Sequence, residues 1–414
     1  MESTILNSRN DATVKEENCM ISVGDAKQLI LKTCSQLERF SLELSSAHSY
    51  ILSKDIFSQY TIPPFRQSAM DGYALCFSDL HKCESLLVVG EIPAGEIWTP
   101  PLQDQQALRI FTGACVPDTA DTVVEQERVS VQGNNILIRK EGLVAGANIR
   151  PVGSQILSGE LALPKGSKIS PASIGFLASI GIGEVEVFRK PKIAIIITGN
   201  ELQAAGTTLQ SGNIFESNSS MLIAALKESE FYVECCLIVG DNESELEEAT
   251  GNLLGTVDLI IFTGGISVGD YDLVRKKLNS AEFQNVFYKV KQKPGKPIWY
   301  GMQGRTKIFA LPGNPAAVLT CYYEYVLPAL RIMCGHSQPF LPQKQLNLKS
   351  AYHKKSGLAH FLKGRTEEGF VTILDAQESY KLNTFAKADC LIYVPEDKTS
   401  LAEGEIVEVH LLPE

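Results

Sequence analysis

The sequence predicts a multidomain α/β protein whose central domain is a doubly wound, mostly parallel sheet. From about residue 191 to residue 335, short apolar runs alternate with segments of helical spacing. This pattern is typical of a parallel sheet that helices cover on both faces. The chain has 414 residues, which is more than one hydrophobic core usually supports. We therefore expect roughly two to four domains.

The elements of this α/β region follow from their residue types. The run 192–198 is apolar and β-branched, as expected of a strand buried on both faces. Further apolar runs predict strands at 232–239 and 258–262. Apolar residues at helical spacing predict helices at 219–229, 243–254, 270–278 and 314–333.

The regions on either side differ from this alternation. Residues 21–45 have helical spacing, whereas Gly and Pro interrupt the sequence from 62 to 187, which indicates a β-rich domain. The tail, from about 338 to 414, indicates a small β domain. Strands are predicted at 86–89, 107–111, 122–131, 135–139, 391–394 and 405–410, with a turn at 164–168 and a short helix at 170–180.

Charge and composition exclude several classes of partner. The formal net charge of −10 disfavours binding to nucleic acid or to an anionic membrane surface. No apolar run approaches the ~18 residues that span a bilayer, and residues 1–18 lack the apolar segment of a signal peptide. We therefore expect a cytoplasmic protein, without nucleic-acid or membrane partners, whose ten cysteines are reduced.

The sequence disfavours a zinc or iron site. It contains no CxxC pair, and its six histidines are scattered without HxH or HxxxH spacing. If the protein holds a metal, carboxylates must be the ligands, which points to magnesium.

A glycine-rich segment, TGGISVGD at 263–270, lies between a predicted strand and a predicted helix. Gly264 and Gly265 would let the backbone approach a ligand closely, and Ser267 could add a hydroxyl donor. The alternative is an ordinary structural turn. The segment lacks the GK[ST] ending of a phosphate-binding Walker A loop.

Acidic residues follow three predicted strands. Glu201 follows the first, Asp241 the second, and Asp270 and Asp272 the third. Helix capping alone would explain Asp at such positions. However, the carboxyl ends of parallel strands meet at one edge of a sheet, and neighbouring carboxylates repel one another unless a cation lies between them. The spacing therefore favours a Mg²⁺ site formed by Glu201, Asp241 and Asp272.

Basic residues and prolines supply a possible anion site. Lys293 and Lys296 lie in KVKQKPGKP, and the element PGxP occurs twice, at 294–297 and 312–315. The loop is either a solvated edge loop or a rigid oxyanion site with preset donors. Asp71, in IPPFRQSAMDGYAL, precedes a glycine that suggests a sharp turn. Taken alone, these residues favour a transferase that handles a nucleotide or a phosphate.

The same segments resemble the MoeA / gephyrin E-domain family. The most specific elements, SAMDGYA, TGGISVG, KPGKP and PGNP, occur here in the family's order. The resemblance extends over roughly residues 20–412. Other matching segments are GEIPAGE, RIFTGACVPDTADTVVEQE, NIRPVGSQI, TGNEL and FESNSSML.

This resemblance implies four domains and a homodimer. Domain I would comprise 20–57 and 147–187, domain II the β-rich arm at 58–146, domain III the α/β region at 188–336, and domain IV the β-barrel-like tail at 337–414. In the family's dimer, domain II of one subunit approaches domain III of the other. Asp71 would thereby join the carboxylates of the partner chain.

The resemblance also implies the reaction. Molybdate is transferred to the dithiolene of adenylylated molybdopterin, and AMP is released with Mg²⁺. Molybdopterin adenylyltransferase and apo-molybdoenzymes become possible partners. The residues that match acidic or polar family positions are Asp71, Thr112, Glu201, Asp241 and Asp272. Those that match substrate-binding positions are Gly264, Gly265, Ser267, Lys293, Lys296, Pro297, Pro312, Pro315 and Ser379.

Three positions depart from the family's pattern. Gln155 and Asn200 stand where the family commonly has an acid, and Ala317 stands where it commonly has Ser. A diverged, non-catalytic molybdopterin-binding or scaffold relative therefore remains an alternative, although the retained acids favour an enzyme. A stand-alone adenylyltransferase is disfavoured because the β-rich arm and the tail would then have no purpose.

Overall fold

The computed structural model describes residues 20–96, 101–266 and 272–413. Its contacts divide the chain into two compact units. The first unit consists of the described residues within Met1–Phe40, Ser49–Ile51 and Val187–Glu414, and the second of those within Ser41–His48 and Leu52–Glu186. The second unit combines most of the predicted domains I and II. The four finer boundaries remain predictions.

A six-stranded sheet, here called the central sheet, organises the first unit. Four neighbouring strands are parallel, and two antiparallel strands extend the sheet on one side. The predicted strands and the parallel sheet are confirmed, whereas the antiparallel edge was not predicted. In sheet order the strands are Val233–Val239, Ile193–Thr198, Leu259–Thr263, Thr306–Leu311, Trp299–Gln303 and Gln284–Tyr288.

Helices cover both faces of the central sheet. Alternate residues of its strands accordingly belong to two different hydrophobic clusters, one on each face. Ile195 and Ile197 pack with Leu222 on one side, while Ala194 and Ile196 pack on the other. The doubly wound prediction is therefore confirmed. The helices of this region are Asn218–Glu228, Glu243–Leu253, Leu273–Leu278, Pro315–Cys321 and Leu327–Met333, the last two joined by a π-helical turn at Tyr322–Val326.

The first helix is shorter than the sequence predicted. Val23–Thr33 is helical, and the Ser22 side chain accepts a hydrogen bond from the Asp25 N–H at its start. The prediction that the helix runs to residue 45 was wrong, since Arg39–Glu43 is a strand and Leu44–Ser46 a 3₁₀ turn. Residues 39–43 also alternate between polar and apolar, and this short segment fits either periodicity.

The tail forms a small closed barrel, as predicted, with its own hydrophobic core. Closure comes from the pairing of Ala359–Glu367 with Cys390–Val394. The pairing of Gln292–Lys293 with Ala359 and His360 attaches the basic loop to this barrel. The other elements of the tail are Gln343–Leu348, Tyr352–His353, Phe370–Ile373, Ser400–Leu401, Ile406–Leu411 and the helix Leu382–Phe385.

The second unit is β-rich, as predicted, and contains one α-helix among its described residues, Pro171–Ser179. The strand predicted at 122–131 is interrupted by a 3₁₀ turn at Gln126–Arg128. In sheet order its six-stranded sheet consists of Thr122–Glu125, Gly72–Leu75, Gln106–Ile110, Ser85–Ile92, Asn135–Ile138 and Val129–Gln132. Short pairs form between Ile56–Phe57 and Leu161–Leu163, and between Gln67–Ser68 and Ile149–Arg150.

None of the helices in the described ranges is long and apolar enough to cross a membrane.

Candidate active site

An open cleft of about 510 Å³ lies at the carboxyl ends of the parallel strands of the central sheet. This edge is where open α/β sheets bind their ligands. The cleft brings together most of the residues that the sequence singled out in the α/β region. The predicted site residues that line it are Glu201, Asp241, Asp272, Gly264, Gly265, Pro297, Pro312 and Pro315.

The glycine turn forms one wall of the cleft. Gly264 and Gly265 have φ values of 89° and 61°, in the left-handed region that favours glycine. A Cβ on Gly264 would lie 2.7 Å from the Thr198 carbonyl oxygen. The turn therefore requires glycine and keeps its backbone open towards the cleft. Ser267 and Asp270, which the sequence placed on this loop, lie outside the described residues.

Glu201 and Asp241 lie on the loops that follow two neighbouring strands. Asn200 links these loops: its N–H donates to Asp241 Oδ2 at 3.3 Å, and its Oδ1 accepts from the Asp241 N–H at 2.9 Å. An Asp at position 200 could accept the same bond. Asn200 therefore keeps the link that an acid would make and removes one negative charge beside Asp241.

Asp272 precedes the helix Leu273–Leu278, but its side chain makes no capping hydrogen bond to that helix. Capping therefore does not explain the residue type. Burial raises the pKa of the Tyr288 hydroxyl, and the negative charge of Asp272 raises it further against the opposing effect of Arg275. The Tyr288 hydroxyl donates to the Ile266 carbonyl oxygen at 3.1 Å, which joins this side of the cleft to the glycine turn.

The three carboxylates share the cleft without forming a complete metal site by themselves. Across the described parts of the chain, no three His, Cys, Asp or Glu side chains are grouped closely enough to hold a metal ion. Their hard oxygen atoms nevertheless suit Mg²⁺, which proteins usually bind through one or two carboxylates together with substrate phosphates. The residues thus fit a magnesium ion that a phosphate-bearing substrate helps to hold.

The basic loop is rigid at its base and exposed at its lysines. A Cβ on Gly295 would lie 2.4 Å from Cys321 Sγ, and the Gln292 side chain donates to the Pro294 carbonyl oxygen at 2.9 Å. Lys293 and Lys296 are exposed, whereas Pro297 lines the cleft. The loop therefore presents two positive charges from a fixed backbone.

The positive charge of this loop affects a neighbouring histidine. Burial lowers the pKa of His360 to about 4, with further lowering by the ammonium groups of Lys354 and Lys293. Lys293 is thus close enough to His360 for its positive charge to act on the imidazole.

The second PGxP turn contacts the barrel at Ser379. The Asn314 amide donates to Ser379 Oγ at 3.0 Å, and the Ala316 N–H donates to the Ser379 carbonyl oxygen at 3.0 Å. Ala317, which departs from the family's Ser, is only 2% exposed. A hydroxyl at position 317 would therefore lie in the protein interior.

Three residues that line the cleft were not predicted as site residues from the sequence. Asn218 donates from its amide to the Gly313 carbonyl oxygen at 2.9 Å, and Asn314 and Tyr380 also face the cleft. Asn218 and Asn314 belong to the segments FESNSSML and PGNP, which resemble the family, but no role was predicted for their side chains. No pattern in the sequence distinguishes Tyr380 from other surface tyrosines.

Asp71 and Thr112 form a pair within the second unit. The Thr112 N–H and hydroxyl donate to Asp71 Oδ1 at 2.8 and 2.9 Å, and these bonds lower the pKa of the Asp71 carboxyl. A Cβ on Gly72 would lie 1.9 Å from the Val124 carbonyl oxygen, which explains the glycine after Asp71. Gln155 instead donates to Ser179 Oγ at 2.7 Å.

Three family models match nearly the whole chain. The MoeA N-terminal region (domain I and II) matches residues 21–181, a probable molybdopterin binding domain matches 194–332, and the MoeA C-terminal region (domain IV) matches 345–412.

Individual relatives agree with these models. The chain is 33% identical over 385 residues to the molybdopterin molybdenumtransferase of Haemophilus influenzae, covering 90% of this chain and 94% of that protein. It is 33% identical over 414 residues to the enzyme of that name from a Nostoc species, covering 95% and 94%. The crystal structure of a molybdopterin biosynthesis moeA protein from Pyrococcus horikoshii superimposes with a TM-score of 0.80 at 26% identity, covering 95% and 100%.

The doubly wound domain, its polar cleft and the closed barrel, together with these matches, define a multidomain enzyme of molybdenum cofactor biosynthesis. More particularly, the chain belongs to the MoeA family of molybdopterin molybdenumtransferases.

Proposed function

We propose that this protein transfers molybdate to the dithiolene of adenylylated molybdopterin, and that water cleaves the pyrophosphate bond in a step that depends on Mg²⁺ and releases AMP. The observation that carries the proposal is that three carboxylates and the glycine turn line one cleft of the central sheet. An adenylylated substrate brings phosphates to that cleft, and these complete the oxygen ligand set that the carboxylates begin.

Each part of the cleft has a task in this proposal. The backbone of the turn at Gly264 and Gly265 approaches the nucleotide closely, because no side chain intervenes. Glu201, Asp241 and Asp272 would hold the magnesium ion. Bound there, Mg²⁺ would neutralise phosphate charge as AMP leaves. Lys293 and Lys296 would bind the molybdate oxyanion as point charges on a rigid loop.

Reconstitution of the transfer tests the proposal. The purified protein is incubated with adenylylated molybdopterin, molybdate and Mg²⁺, and an apo-molybdoenzyme is added as the acceptor. The proposal predicts that the acceptor gains activity. A protein that binds the adenylylated pterin yet never activates the acceptor would instead be a non-catalytic binding or scaffold relative.

Replacing Lys296 with alanine is expected to raise the molybdate concentration needed for half-maximal transfer by about tenfold. The variant loses one charge from the anion site, and tenfold corresponds to about 1.4 kcal/mol, near the lower end of the contribution of a charge-assisted hydrogen bond, as expected of an exposed lysine. The half-maximal concentration is measured by molybdate titration of the transfer assay. The exposed Lys344, on the barrel strand Gln343–Leu348, provides a matched Lys→Ala control. An unchanged molybdate dependence would remove Lys296 from the anion site.

We further propose a cytoplasmic homodimer that receives its substrate from molybdopterin adenylyltransferase and passes its product to apo-molybdoenzymes. If Asp71 of one subunit acts with the cleft carboxylates of the partner, a mixture of inactive Asp71→Asn and Asp272→Asn chains should recover activity. Random pairing would restore about a quarter of the wild-type sites, since half of the dimers are mixed and each mixed dimer has one intact site. Transfer by the mixture is compared with each variant alone, and a mixture as inactive as its components would contradict the shared site.

A further inference from the structure

Tyr380 differs chemically from the rest of the cleft wall. Its side chain is 61% exposed and lines the cleft. Among the lining residues that the structure describes, it is the one aromatic side chain, and the others are glycines, prolines, aliphatic and polar residues. An exposed ring at the mouth of a polar cleft offers a flat apolar surface to a planar ligand.

The backbone beside Tyr380 is fixed to the rim of the cleft. Ser379 accepts two hydrogen bonds from the second PGxP turn, one from the Asn314 amide and one from the Ala316 N–H, both at 3.0 Å. Asn314 and Pro315 themselves line the cleft. The backbone that carries Tyr380 is therefore attached to the cleft wall and is not part of a freely moving loop.

A buried lysine holds the other side of this loop. Lys363 is only 4% exposed, and its ammonium donates to three carbonyl oxygens of the loop: Ala376 at 2.8 Å, Lys381 at 3.1 Å and Glu378 at 3.4 Å. Three N–H donors on three acceptors use the full capacity of the ammonium group. Burying a lysine is costly, and here the group fixes the backbone on both sides of Tyr380.

Gln377 completes the attachment. Its Oε1 accepts from the Lys363 N–H, and its Nε2 donates to the Lys363 carbonyl oxygen, both at 2.9 Å, and to the Leu374 carbonyl oxygen at 2.7 Å. The loop from Leu374 to Lys381 is thus bonded to a single residue of the barrel strand through both its backbone and its side chain.

We propose that Tyr380 is a stacking surface for a planar nitrogen heterocycle of the substrate, and that Lys363 is the residue that positions it. The heterocycle is either the adenine of the nucleotide or the pyrimidine ring of the pterin, which share a flat π-face. This inference rests on the proposed function for the identity of the substrate. Stacking tolerates the replacement of Tyr by Phe but not by an aliphatic residue.

Binding measurements with two probes test the stacking role. AMP represents the adenine, and 6-carboxypterin represents the pterin. Tyr380→Leu is expected to raise the Kd of the probe that stacks by about tenfold, while leaving the Kd of the other probe unchanged. Tyr380→Phe should retain wild-type Kd values. Tyr232 provides a matched Tyr→Leu control. It is 69% exposed and directly precedes the strand Val233–Val239, so it lies at the amino ends of the strands, away from the cleft.

A double-mutant cycle tests the positioning role. Lys363→Met removes the three donors but keeps a chain of similar length, and it should weaken the same probe as Tyr380→Leu does. Because Lys363 acts through Tyr380, adding Lys363→Met to Tyr380→Leu should cause no further loss of affinity. Additive losses would overturn the positioning role. Since Lys363→Met can fail to fold, the Tyr380 variants stand as an independent test.

The outcomes separate this inference from the proposed function. If wild-type protein transfers molybdate but Tyr380→Leu binds both probes normally and retains its KM for the adenylylated substrate, the stacking surface is refuted and the function stands. If wild-type protein binds AMP through Tyr380 but never transfers molybdate, the proposed function fails and the stacking surface stands.

Discussion

Asp272→Asn is expected to reduce molybdate transfer by at least about a hundredfold while the fold remains intact. The substitution keeps the shape of the side chain but removes the charge that would hold Mg²⁺ against the substrate phosphates. The side chain makes no capping bond to the helix that follows, so the substitution removes no helix cap. Transfer is measured as activation of an apo-molybdoenzyme at saturating substrate, and folding by the thermal unfolding curve.

A distant carboxylate provides the control for this variant. Asp397 is exposed on a turn of the barrel, and Asp397→Asn changes the net charge of the protein by the same amount. It should transfer molybdate at the wild-type rate. Wild-type activity in Asp272→Asn would exclude Asp272 from the mechanism, and excess Mg²⁺ should partly restore transfer if the lost group is a metal ligand.

Glu324→Gln is expected to lower the free energy of unfolding by about 3–5 kcal/mol, the usual cost of removing one partner from a buried ion pair. The Glu324 side chain is 1% exposed and accepts from Lys27 Nζ and His410 Nδ1, both at 2.6 Å. It therefore joins helix Val23–Thr33, the π-helical turn Tyr322–Val326 and the barrel strand Ile406–Leu411. Denaturant unfolding measures the loss.

Glu408→Gln is the matched control for this network. Glu408 contacts the other nitrogen of the same histidine, His410 Nε2 at 2.8 Å, but its side chain is 34% exposed. Partly solvated pairs contribute much less, about 0–1 kcal/mol. Equal losses in the two variants would show that burial does not govern the strength of this network.

The loss of unfolding free energy in Glu324→Gln is expected to depend on pH, because both Glu324 and His410 titrate. Burial alone would lower the pKa of His410, but the carboxylates of Glu324 and Glu408 outweigh burial and raise it from 6.5. The stability that protonated His410 contributes is thus complete below pH 6.5 and is lost as pH rises through the raised pKa. Burial would raise the pKa of Glu324, but His410 and Lys27 lower it from 4.5. Its contribution is present above pH 4.5 and is lost on acidification.

The difference in unfolding free energy between wild type and Glu324→Gln should therefore be largest between about pH 4.5 and 6.5. It should decrease on both sides of this window. A difference that is independent of pH would show that the network is not ionised in the folded protein.

The sequence predicted the parts of the fold where one periodicity dominates. Ile193–Ile197 is apolar throughout, and the whole strand Ile193–Thr198 is buried, so its composition leaves one interpretation. The strand Trp299–Gln303 was not predicted, because it follows the basic loop directly. It also lies at the antiparallel edge of the sheet, where no helix separates it from the next strand, so the strand–helix alternation that marks the parallel strands is absent. Arg39–Glu43 was misassigned because five residues fit a helix and a strand equally well.

Some residues of the candidate site could be predicted from the sequence, and others depend on contacts that only the folded structure shows. Glu201, Asp241 and Asp272 could be predicted to line one cleft, since strand order alone brings the carboxyl ends of parallel strands to one edge. Tyr380 and Lys363 could not, because their roles depend on how the barrel packs against the PGxP turn, a contact between segments more than sixty residues apart. Likewise, only the observed bonds show that Asn200 can replace an acid as the link between two loops.

We propose that this cleft couples insertion of molybdenum to release of AMP. The most direct measurement quantifies both products in a single turnover, with adenylylated molybdopterin and molybdate, in the presence and absence of Mg²⁺. The proposed mechanism predicts equal amounts of AMP and inserted molybdenum, and neither product without Mg²⁺. Retention of intact adenylylated pterin by a fully loaded protein, with no AMP released in the presence of Mg²⁺, would contradict it.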